Sequence, residues 1–478
     1  MKTSPRKLVL VLGETAVLFL TVFVITSYGI VTQILTQGHL QNIDPNAVFN
    51  GIVTTLVITT ICQICFFFND LYDWRVLSNS SQTAIHLLQS VAYTVILLAV
   101  LYYVFMGLQR LTDYPLQRRF AANPIVVVIA LSLVYPLCYY YRLLFHWTVY
   151  RWVPKDRLIF IGASPMSAIL EKELAERKDP GYVVVGYILE HETATEHVPE
   201  RRRVLGSFKD ITTTARHEHA SRLIVTLPER RGSLPMLELL NCRLAAIRIE
   251  EGEIFYERLT GKIAVERLRP SYLIFSEGFN RSKFNYIFKR LMDVSAAAFG
   301  LIVSAPIALL AAVAIKLDSP GPILFRQKRV GKEGRVFTLL KFRSMRSDAE
   351  KTTGPVWASE DDQRVTRVGR VIRRLRIDEI PQMVNVLRNE MSFVGPRPER
   401  PFFVEELKRE IPYYTERLVV KPGITGWAQI NYRYGSTKDD AIQKLQYDLY
   451  YIKNMSIFLD IIIILRTIKV IVLRRGAI

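Results

Sequence analysis

Four long apolar stretches occupy the first third of the chain, at residues 8–30, 48–68, 84–107 and 123–146. At a rise of 1.5 Å per residue, each stretch is long enough as a helix to cross a hydrocarbon core about 30 Å thick. The first stretch lacks the small-residue cleavage site of a signal peptide. The pattern predicts a transmembrane domain of four helices over residues 1–150.

Basic residues near the ends of these stretches indicate an orientation. They are Lys2, Arg6 and Lys7 before the first stretch, and Arg142, Arg151, Lys155 and Arg157 after the fourth. Since the loop 31–47 has neither Lys nor Arg, the positive-inside rule predicts that both ends of the bundle face the cytoplasm. Arg110, Arg118 and Arg119 do not follow this pattern, and we interpret them as contacts to lipid phosphates.

A different pattern begins after Lys155, where apolar runs at 157–161, 182–189 and 222–227 alternate with polar, helix-compatible stretches. This alternation predicts a Rossmann-like α/β domain with a parallel sheet over residues 151–275. A dinucleotide-binding loop would have three glycines after the first strand, but the sequence there is Gly162-Ala163-Ser164-Pro165. The missing glycines favour a structural, regulatory or oligomerising domain over one that binds a dinucleotide.

A third domain is predicted over residues 280–478, and it opens with one more apolar stretch, 294–317. Pro306, in the middle of this stretch, removes a helix hydrogen bond and predicts a kink, and Ser304 offers a hydroxyl to a freed carbonyl. The hydropathy allows either a fifth span or a helix that bends and returns to the same membrane face. Near the C-terminus, residues 457–473 combine apolar residues with three charged ones, which is typical of an interfacial helix.

The composition agrees with a membrane protein that binds anions. Half of the 478 residues are hydrophobic and the mean hydropathy is +0.17. The net charge of +19 favours nucleic acid, anionic lipid or phosphate-rich substrates as partners. Four cysteines are too few for a disulfide framework.

Candidate chemistry is concentrated where arginines precede a pair of acidic residues, Asp378 and Glu379. The arginines are Arg364, Arg367, Arg370, Arg373, Arg374 and Arg376. Guanidinium groups bind phosphate oxygens in bidentate fashion, so the cluster is a candidate anion site. For most of these arginines the alternative is the solvated face of an amphipathic helix. The two acids are separated by about 100° on a helix, which lets them take different roles.

Six ordered motifs extend over this part of the chain. They are Lys289-Arg290-x-x-Asp293 before the Pro-broken helix, Ser319-Pro320-Gly321-Pro322, Lys341-Phe342-Arg343-Ser344-Met345, Asp378-Glu379-x-Pro381-Gln382, Val394-Gly395-Pro396-Arg397-Pro398-Glu399 and Lys421-Pro422-Gly423-Ile424-Thr425-Gly426-Trp427. With these motifs, residues from about 284 to 435 resemble the bacterial sugar transferases, the monotopic phosphoglycosyl transferases that form the polyprenyl phosphate hexose-1-phosphate transferase family. The four spans and the degenerate nucleotide fold are similar to the long members that prime exopolysaccharide or capsule synthesis.

The resemblance implies a mainly α-helical monotopic catalytic domain with a re-entrant membrane helix over residues 286–317, bent at Ser304 and Pro306. It implies transfer of hexose-1-phosphate from a UDP-sugar, with UDP-glucose or UDP-galactose favoured, to undecaprenyl phosphate. Asp378 would be the nucleophile and form a phosphosugar-enzyme intermediate, with UMP as leaving group. Glu379 would position or deprotonate an attacking group, or bind Mg²⁺ together with Asp378.

Further site residues follow from the same resemblance. Arg376, Arg397 and Arg373 are expected to contact substrate phosphates, and so are Lys341 and Arg343, which belong to a matching motif. Gly423, Thr425 and Gly426 are expected to approach the nucleotide. The implied setting is the bacterial inner membrane with a cytoplasmic active site, and the implied partners are the lipid bilayer and downstream glycosyltransferases, with a homo-oligomer compatible.

Two other functions remain open from the residues alone. A membrane-anchored nucleotide-sugar modifying enzyme on residues 155–270 would require an intact dinucleotide loop and a Tyr-x-x-x-Lys pair, and residues 155–270 contain neither. A non-enzymatic scaffold that binds anionic lipid would leave Asp378 dispensable. Nucleic acid is disfavoured as a partner, because the arginines are grouped beside acids and not interleaved with aromatics.

Overall fold

The computed structural model describes residues 5–28, 45–77, 79–112, 124–152, 154–177, 181–190, 198–199, 203–227, 234–268, 272, 276, 278–279, 283–346, 364–432, 435 and 437–472. The chain divides into two compact units, residues 2–250 and residues 251–478. Each unit has its own hydrophobic core.

Each apolar stretch of the N-terminal third lies on one helix. These helices are α1 (Pro5–Thr26), α2 (Pro45–Phe68), α3 (Ser80–Thr112) and α4 (Pro124–Trp152). Helix α1 packs against α2 and α4, and α3 packs against the same two helices. Among the described residues, five helices are long and apolar enough to cross a membrane, namely these four and a helix over Phe284–Asp318.

A buried ion pair lies inside this helical bundle. Arg142 of α4 donates from Nε and Nη2 to the two carboxylate oxygens of Glu14 at 2.6 and 2.8 Å, and from Nη1 to the Leu71 carbonyl at 2.6 Å. Arg142 is therefore not a loop residue, and its use as evidence for orientation was wrong. The predicted lipid contacts of Arg118 and Arg119 lie outside the described residues, as does the side chain of Arg110.

The predicted α/β domain contains a sheet of five strands in the order β3-β2-β1-β4-β5. The strands are β1 (Asp156–Ile161), β2 (Tyr182–Leu189), β3 (Val204–Ser207), β4 (Arg222–Val225) and β5 (Arg248–Glu251), and the helices are α5 (Pro165–Arg177), α6 (Ile211–His217) and α7 (Met236–Leu244). Strand β1 pairs in parallel with β2 and β4, and β2 pairs in parallel with β3. The predicted parallel sheet is confirmed.

The loop that replaces a dinucleotide fingerprint is closed by neighbouring side chains. Gly162 has a φ of +84°, a conformation that glycine adopts at little cost. A Cβ atom on Gly162 would lie 2.5 Å from Cδ2 of Leu227, and Thr226 Oγ1 donates to the Gly162 carbonyl at 2.6 Å. Leu227 and Thr226 thus pack directly against the loop at the carboxyl ends of β1 and β4.

The second unit is mainly helical. Its elements are α8 (Gly252–Thr260), α9 (Lys283–Asp318), β6 (Leu324–Val330), β7 (Val336–Phe342), α10 (Arg367–Arg374), α11 (Gln382–Leu387), β8 (Ser392–Val394), α12 (Pro401–Glu410), β9 (Gly423–Thr425), α13 (Trp427–Asn431), α14 (Lys438–Lys453) and α15 (Ile457–Val472). β6 and β7 form an antiparallel hairpin, and β8 pairs with β9 in parallel. The unit begins at Glu251, before the predicted boundary at 280, since Ile263 and Val265 belong to its core.

Helix α9 is continuous over 36 residues with Pro306 inside it. The carbonyl that loses its partner to Pro306 is that of Ile302, four residues earlier. The Ser304 hydroxyl donates instead to the Gly300 carbonyl at 2.6 Å. Both residues thus lie in an unbroken stretch of helix, whose central side chains Phe299, Ile302 and Leu310 are exposed.

Candidate active site

Asp378 and Glu379 lie on a single 3-10 turn, Ile377–Glu379, between α10 and α11. Arg376, just before the turn, has a φ of +54°, a left-handed conformation that a non-glycine residue adopts only when its surroundings enforce it. Helix α11 begins directly after Pro381. The tight turn leaves each acid only 8% exposed.

Three cations surround Glu379. Its carboxylate lies 2.9 Å from Arg397 Nη2, 3.4 Å from Lys341 Nζ and 3.6 Å from Arg376 Nη1. Burial alone would raise the pKa of Glu379, but Arg397, Lys341 and Arg376 together hold that pKa well below its usual range. Glu379 is therefore a fixed anion that holds three predicted site residues in place.

Asp378 is in a different electrostatic environment. Its nearest cation is Lys341, whose Nζ lies 3.9 Å from Oδ2. Burial raises the pKa of Asp378, and the charge of Glu379 adds to this effect, against opposing contributions from Lys341, Arg397 and Arg373. Arg373 influences Asp378 through its charge, without a direct ion pair to either acid among the described residues.

The two adjacent carboxyl groups thus have pKa values that are moved in opposite directions. Such divergence is the physical signature of paired acids with separate catalytic roles. Among the described residues, Glu379 forms ion pairs with three cations, whereas Asp378 forms one longer ion pair, with Lys341. The Asp378 carboxylate is therefore the less neutralised of the two.

Arg343, one of the predicted phosphate ligands, is directed elsewhere. Its guanidinium group donates to the carbonyls of Ile315, Ser319 and Pro320 at 3.3, 2.7 and 3.0 Å. These carbonyls lie at the C-terminus of α9 and in the loop that follows, where unpaired carbonyls accept from cationic side chains. This placement favours a helix-capping role for Arg343 over its predicted phosphate contact, which stays a prediction.

The predicted nucleotide ligands Gly423, Thr425 and Gly426 are buried. A Cβ atom on Gly423 would lie 2.1 Å from the backbone nitrogen of Gly395, and one on Gly426 would lie 2.2 Å from the Gly395 carbonyl oxygen. The Thr425 hydroxyl is 2.6 Å from that of Thr467. The glycines allow β8 and β9 to meet backbone to backbone, so the placement of these residues favours packing over nucleotide contact.

That strand contact positions Arg397, and a buried ion pair supports it. Arg417 donates to the Arg397 carbonyl at 3.0 Å and lies 2.8 Å from Asp448. Both Arg417 and Asp448 are buried, and burial raises the pKa of Asp448 to about 6 despite the lowering effect of Arg417. Sequence analysis did not identify this pair, because its members are 31 positions apart and belong to no motif.

A polar network ties the N-terminal end of α9 to β8. Asp293 accepts from the Ser392 hydroxyl and from the backbone N–H of Phe393 at 2.9 Å. Lys289 donates to Asp460 at 2.7 Å and to the Val394 carbonyl at 3.2 Å. Asp460, one of the charged residues of the predicted interfacial helix, is fully buried here. The network fixes the strand that leads to Arg397.

Asn385 is a further site-supporting residue that the sequence did not reveal. Its side chain accepts from the Leu340 N–H at 3.0 Å and donates to the Thr338 carbonyl at 2.8 Å. Helix α11 is thereby held against β7, the strand that carries Lys341. The only signal in the sequence was a polar residue, Asn385, between apolar neighbours. Buried polar side chains are almost always hydrogen-bonded.

The donors available for a divalent cation are few. Among the described residues there is no group of three or more His, Cys, Asp or Glu side chains that could hold a metal ion. Mg²⁺ is commonly bound by one or two carboxylates together with substrate phosphates. Asp378 fits this mode better than Glu379, whose carboxylate is occupied by three cations.

Comparison with known proteins gives two family matches. Residues 284–474 match the family described as bacterial sugar transferase, and residues 68–248 match a CoA-binding domain. Ligands of doubly wound domains bind at the carboxyl ends of the strands where the strand order reverses, here between β1 and β4. Leu227 and Thr226 pack against the loop at that position.

Three curated relatives are similar to this chain. The UDP-N-acetylgalactosamine-undecaprenyl-phosphate N-acetylgalactosaminephosphotransferase of Aeromonas hydrophila is 45% identical over 50% of this chain and 56% of its own length. The undecaprenyl-phosphate glucose phosphotransferase of Komagataeibacter xylinus is 40% identical over 57% and 52%. The UDP-glucose:undecaprenyl-phosphate glucose-1-phosphate transferase of Klebsiella pneumoniae is 33% identical over 66% and 67%.

The chain spans about half the length of the first two of these relatives. The Klebsiella protein, in contrast, is matched over two thirds of its length, and the family match covers α9, the acidic pair and every residue that contacts it. The chain belongs to the bacterial sugar transferase family.

Proposed function

We propose that this protein is a phosphoglycosyl transferase that moves a hexose-1-phosphate from a UDP-sugar, with UDP-glucose favoured, to undecaprenyl phosphate. The observation that carries the proposal is the pair of adjacent buried carboxyl groups with opposed pKa shifts, surrounded by Lys341, Arg376 and Arg397. The names of the relatives support the classes of donor and acceptor.

The first step is attack by Asp378 on the sugar-bearing phosphorus of the donor. A bond forms between a carboxylate oxygen of Asp378 and this phosphorus, and the bond to the bridging oxygen breaks, so that UMP leaves. The cations around Glu379 lie next to Asp378 and can stabilise negative charge on the phosphoryl oxygens. The product of this step is an acyl phosphate that carries the sugar.

The second step is attack by a phosphate oxygen of the carrier on the same phosphorus. The acyl phosphate bond breaks, the Asp378 carboxylate is restored and undecaprenyl-diphosphate-sugar is released. The carrier phosphate is already ionised near neutral pH and requires no general base. Glu379, with its strongly lowered pKa, is a weak base, and we assign it the role of holding the three cations.

Mg²⁺ completes the proposed site. When bound by Asp378 and the substrate phosphates, it would offset the charge that develops on the leaving UMP. The side chains of Lys341, Arg376 and Arg397 would also offset this negative charge, and Arg373 adds a more distant positive charge.

We further propose that α9 is re-entrant and that the active site faces the cytoplasm at the inner membrane. Support comes from bonds that both ends of α9 make to other elements of the same unit. Lys289 and Asp293 bond to Asp460 and Ser392, whereas Asp318 accepts from the Val368 N–H and Ile315 accepts from Arg343. A straight span would hold its ends on opposite sides of a hydrocarbon core about 30 Å thick.

The test is UMP release from a panel of UDP-sugars, including UDP-glucose, UDP-galactose and UDP-N-acetylgalactosamine, by purified protein with undecaprenyl phosphate and Mg²⁺. We expect release with one preferred sugar and a loss of about 10³-fold or more in Asp378→Asn, the scale on which enzymes lose activity with their nucleophile. Asp439→Asn, which removes an exposed carboxylate of the same unit, is the matched control and should retain activity.

A covalent adduct should accumulate when the donor is radiolabelled in the sugar and the carrier is omitted. The label should remain on the wild-type protein and be absent from Asp378→Asn. Equal release by wild type and Asp378→Asn would contradict the assigned nucleophile, and absence of release with every donor would favour the scaffold function.

A further inference from the structure

Gln382, the first residue of α11, has no part in the site described above. It is only 2% exposed. Its Nε2 atom is buried and has no hydrogen-bond partner among the residues that the structure describes. Buried amide groups are almost always hydrogen-bonded, because a donor without a partner loses its bonds to water and gains none in return. The orphaned donor of Gln382 therefore requires an explanation.

The backbone places Gln382 on the same face as the two acids. Ile380 and Pro381 both have helical dihedral angles, so the chain runs from the acidic turn into α11 in a continuous helical conformation. Residues three and four positions apart on such a backbone are neighbours. A long helical side chain also leans back over the turn that precedes it. These rules place the Gln382 amide beside Glu379 and Asp378, three and four positions earlier.

Neither acid accepts from this donor among the described residues. Glu379 forms ion pairs with three cations, and Asp378 forms one with Lys341. The amide is thus a donor that the protein holds next to the acids and does not use within its own fold. In the proposed reaction, the group that arrives at this position is the sugar-bearing phosphoryl group, whose charged oxygens are strong acceptors.

We propose that Gln382 is a further catalytic residue, whose side-chain amide donates to a non-bridging oxygen of the phosphoryl group that Asp378 attacks. This role rests on the proposed function. The amide would stabilise negative charge on the phosphoryl oxygens in the transition state. Unlike a fourth cation, it would do so without forming an ion pair with Asp378. Gln382 neither gives nor takes a proton, since an amide does not titrate.

Replacement by methionine separates this role from a structural one. Gln382→Met keeps the length of the side chain and removes its orphaned donor, so the Tm should equal or exceed that of wild type. With the preferred donor of the UDP-sugar panel, kcat/KM for UMP release should fall by about 10²-fold, as when one donor to developing negative charge is lost. Gln446→Met replaces another buried glutamine with an orphaned amide atom, on α14, and should keep wild-type activity.

The pH dependence distinguishes a bond to the substrate from a bond to Asp378. A hydrogen bond to the Asp378 carboxylate would lower the pKa of that group, and its loss would shift the acid limb of kcat/KM to a higher pH. A bond to the phosphoryl group leaves the pKa of the free enzyme as it is. In Gln382→Met, kcat/KM should therefore fall at every pH while the acid limb stays in place. A shifted acid limb would overturn the contact with substrate.

The remaining outcomes keep this role apart from the proposed function. If wild type releases UMP and Gln382→Met is as active as Gln446→Met, or has a Tm below that of wild type, the catalytic role is overturned and the proposed function stands. If wild type releases no UMP with any donor, both are overturned.

A second variant of nearly native shape guards against misfolding of the first. In Gln382→Glu the donor is replaced at neutral pH by a carboxylate, which repels phosphate. Its kcat/KM should fall at least as far as that of Gln382→Met, and retained activity would overturn the role of Gln382.

Discussion

At the scale of single residues, the position of Lys341 determines how the pKa values of Asp378 and Glu379 differ. This lysine is the nearest cation to Asp378 and also contacts Glu379. It lowers the pKa of Asp378, against the raising effect of burial. Since the proposed nucleophile Asp378 would attack as an anion, activity should fall as the pH decreases through its raised pKa.

Replacement of Lys341 should therefore shift the acid limb of the plot of kcat/KM against pH to a higher pH. In Lys341→Gln the main lowering contribution is lost, so the pKa of Asp378 rises further and kcat/KM falls at a higher pH than in wild type. The measurement is kcat/KM against pH, which reports the pKa values of the free enzyme. Lys332→Gln, a partly exposed lysine in the β6–β7 turn, serves as control. An acid limb that stays in place would show that another group is responsible for it.

Arg343 and Arg397 provide a second residue-scale prediction. Arg343→Ala should lower the Tm, because several buried carbonyls at the end of α9 lose their donor, each at a cost of about 1–3 kcal/mol. Its kcat/KM should stay close to that of wild type at a temperature where the protein is folded. Arg397→Ala should lower kcat/KM by about 10²-fold or more, as is typical when one stabiliser of transition-state charge is removed.

The two variants are compared by thermal unfolding in detergent and by steady-state UMP release. If Arg343→Ala lost activity without a loss of Tm, the capping role assigned to Arg343 would be incorrect. The sequence could not separate these arginines, because each lies in a motif of the same family. Arg343 follows the end of β7 and Arg397 follows the end of β8. Their roles depend on the groups that pack around each side chain, and these are set by the tertiary structure.

At the scale of elements, patterns that extend over many residues predicted helices and strands. Close contacts between distant segments of the backbone could not be predicted in this way. Hydropathy located α1 to α4, and alternation located the parallel sheet, because each signal is repeated over many residues. The packing roles of Gly423 and Gly426 arise from their approach to Gly395, almost 30 positions earlier. No local pattern contains that contact, so the resemblance alone suggested a nucleotide loop.

The ion pair between Glu14 and Arg142 gives an element-scale prediction for the helical bundle. Arg142→Met should destabilise the protein by about 3–5 kcal/mol, because it leaves a buried carboxylate without its partner. The double variant Glu14→Met with Arg142→Met should recover most of this loss, since apolar side chains can replace a buried ion pair at little cost. Thermal unfolding in nanodiscs measures both. A double variant no more stable than Arg142→Met would indicate that the Leu71 contact dominates.

At the scale of the whole molecule, the proposed topology predicts which residues are accessible from outside the cell. Asn285 and Pro322 lie at the two ends of α9 and are exposed in the structure. If α9 is re-entrant, cysteines at both positions should resist a membrane-impermeant thiol reagent in intact cells and react after permeabilisation. A cysteine at Gln37, between the first two predicted spans, should react in intact cells. External labelling at Pro322 would indicate a fifth span.

The bonds at both ends of α9 have a consequence for the kinetics of the proposed reaction. Because Lys289, Asp293 and Asp318 tie this apolar helix to the unit that holds Asp378 and Glu379, the proposed membrane placement would keep these two acids beside the lipid through every turnover. Encounters with the carrier then take place in two dimensions. Their frequency depends on the mole fraction of carrier among the lipids and not on its amount per litre, so adding inert lipid slows the second step even when every bulk concentration is unchanged.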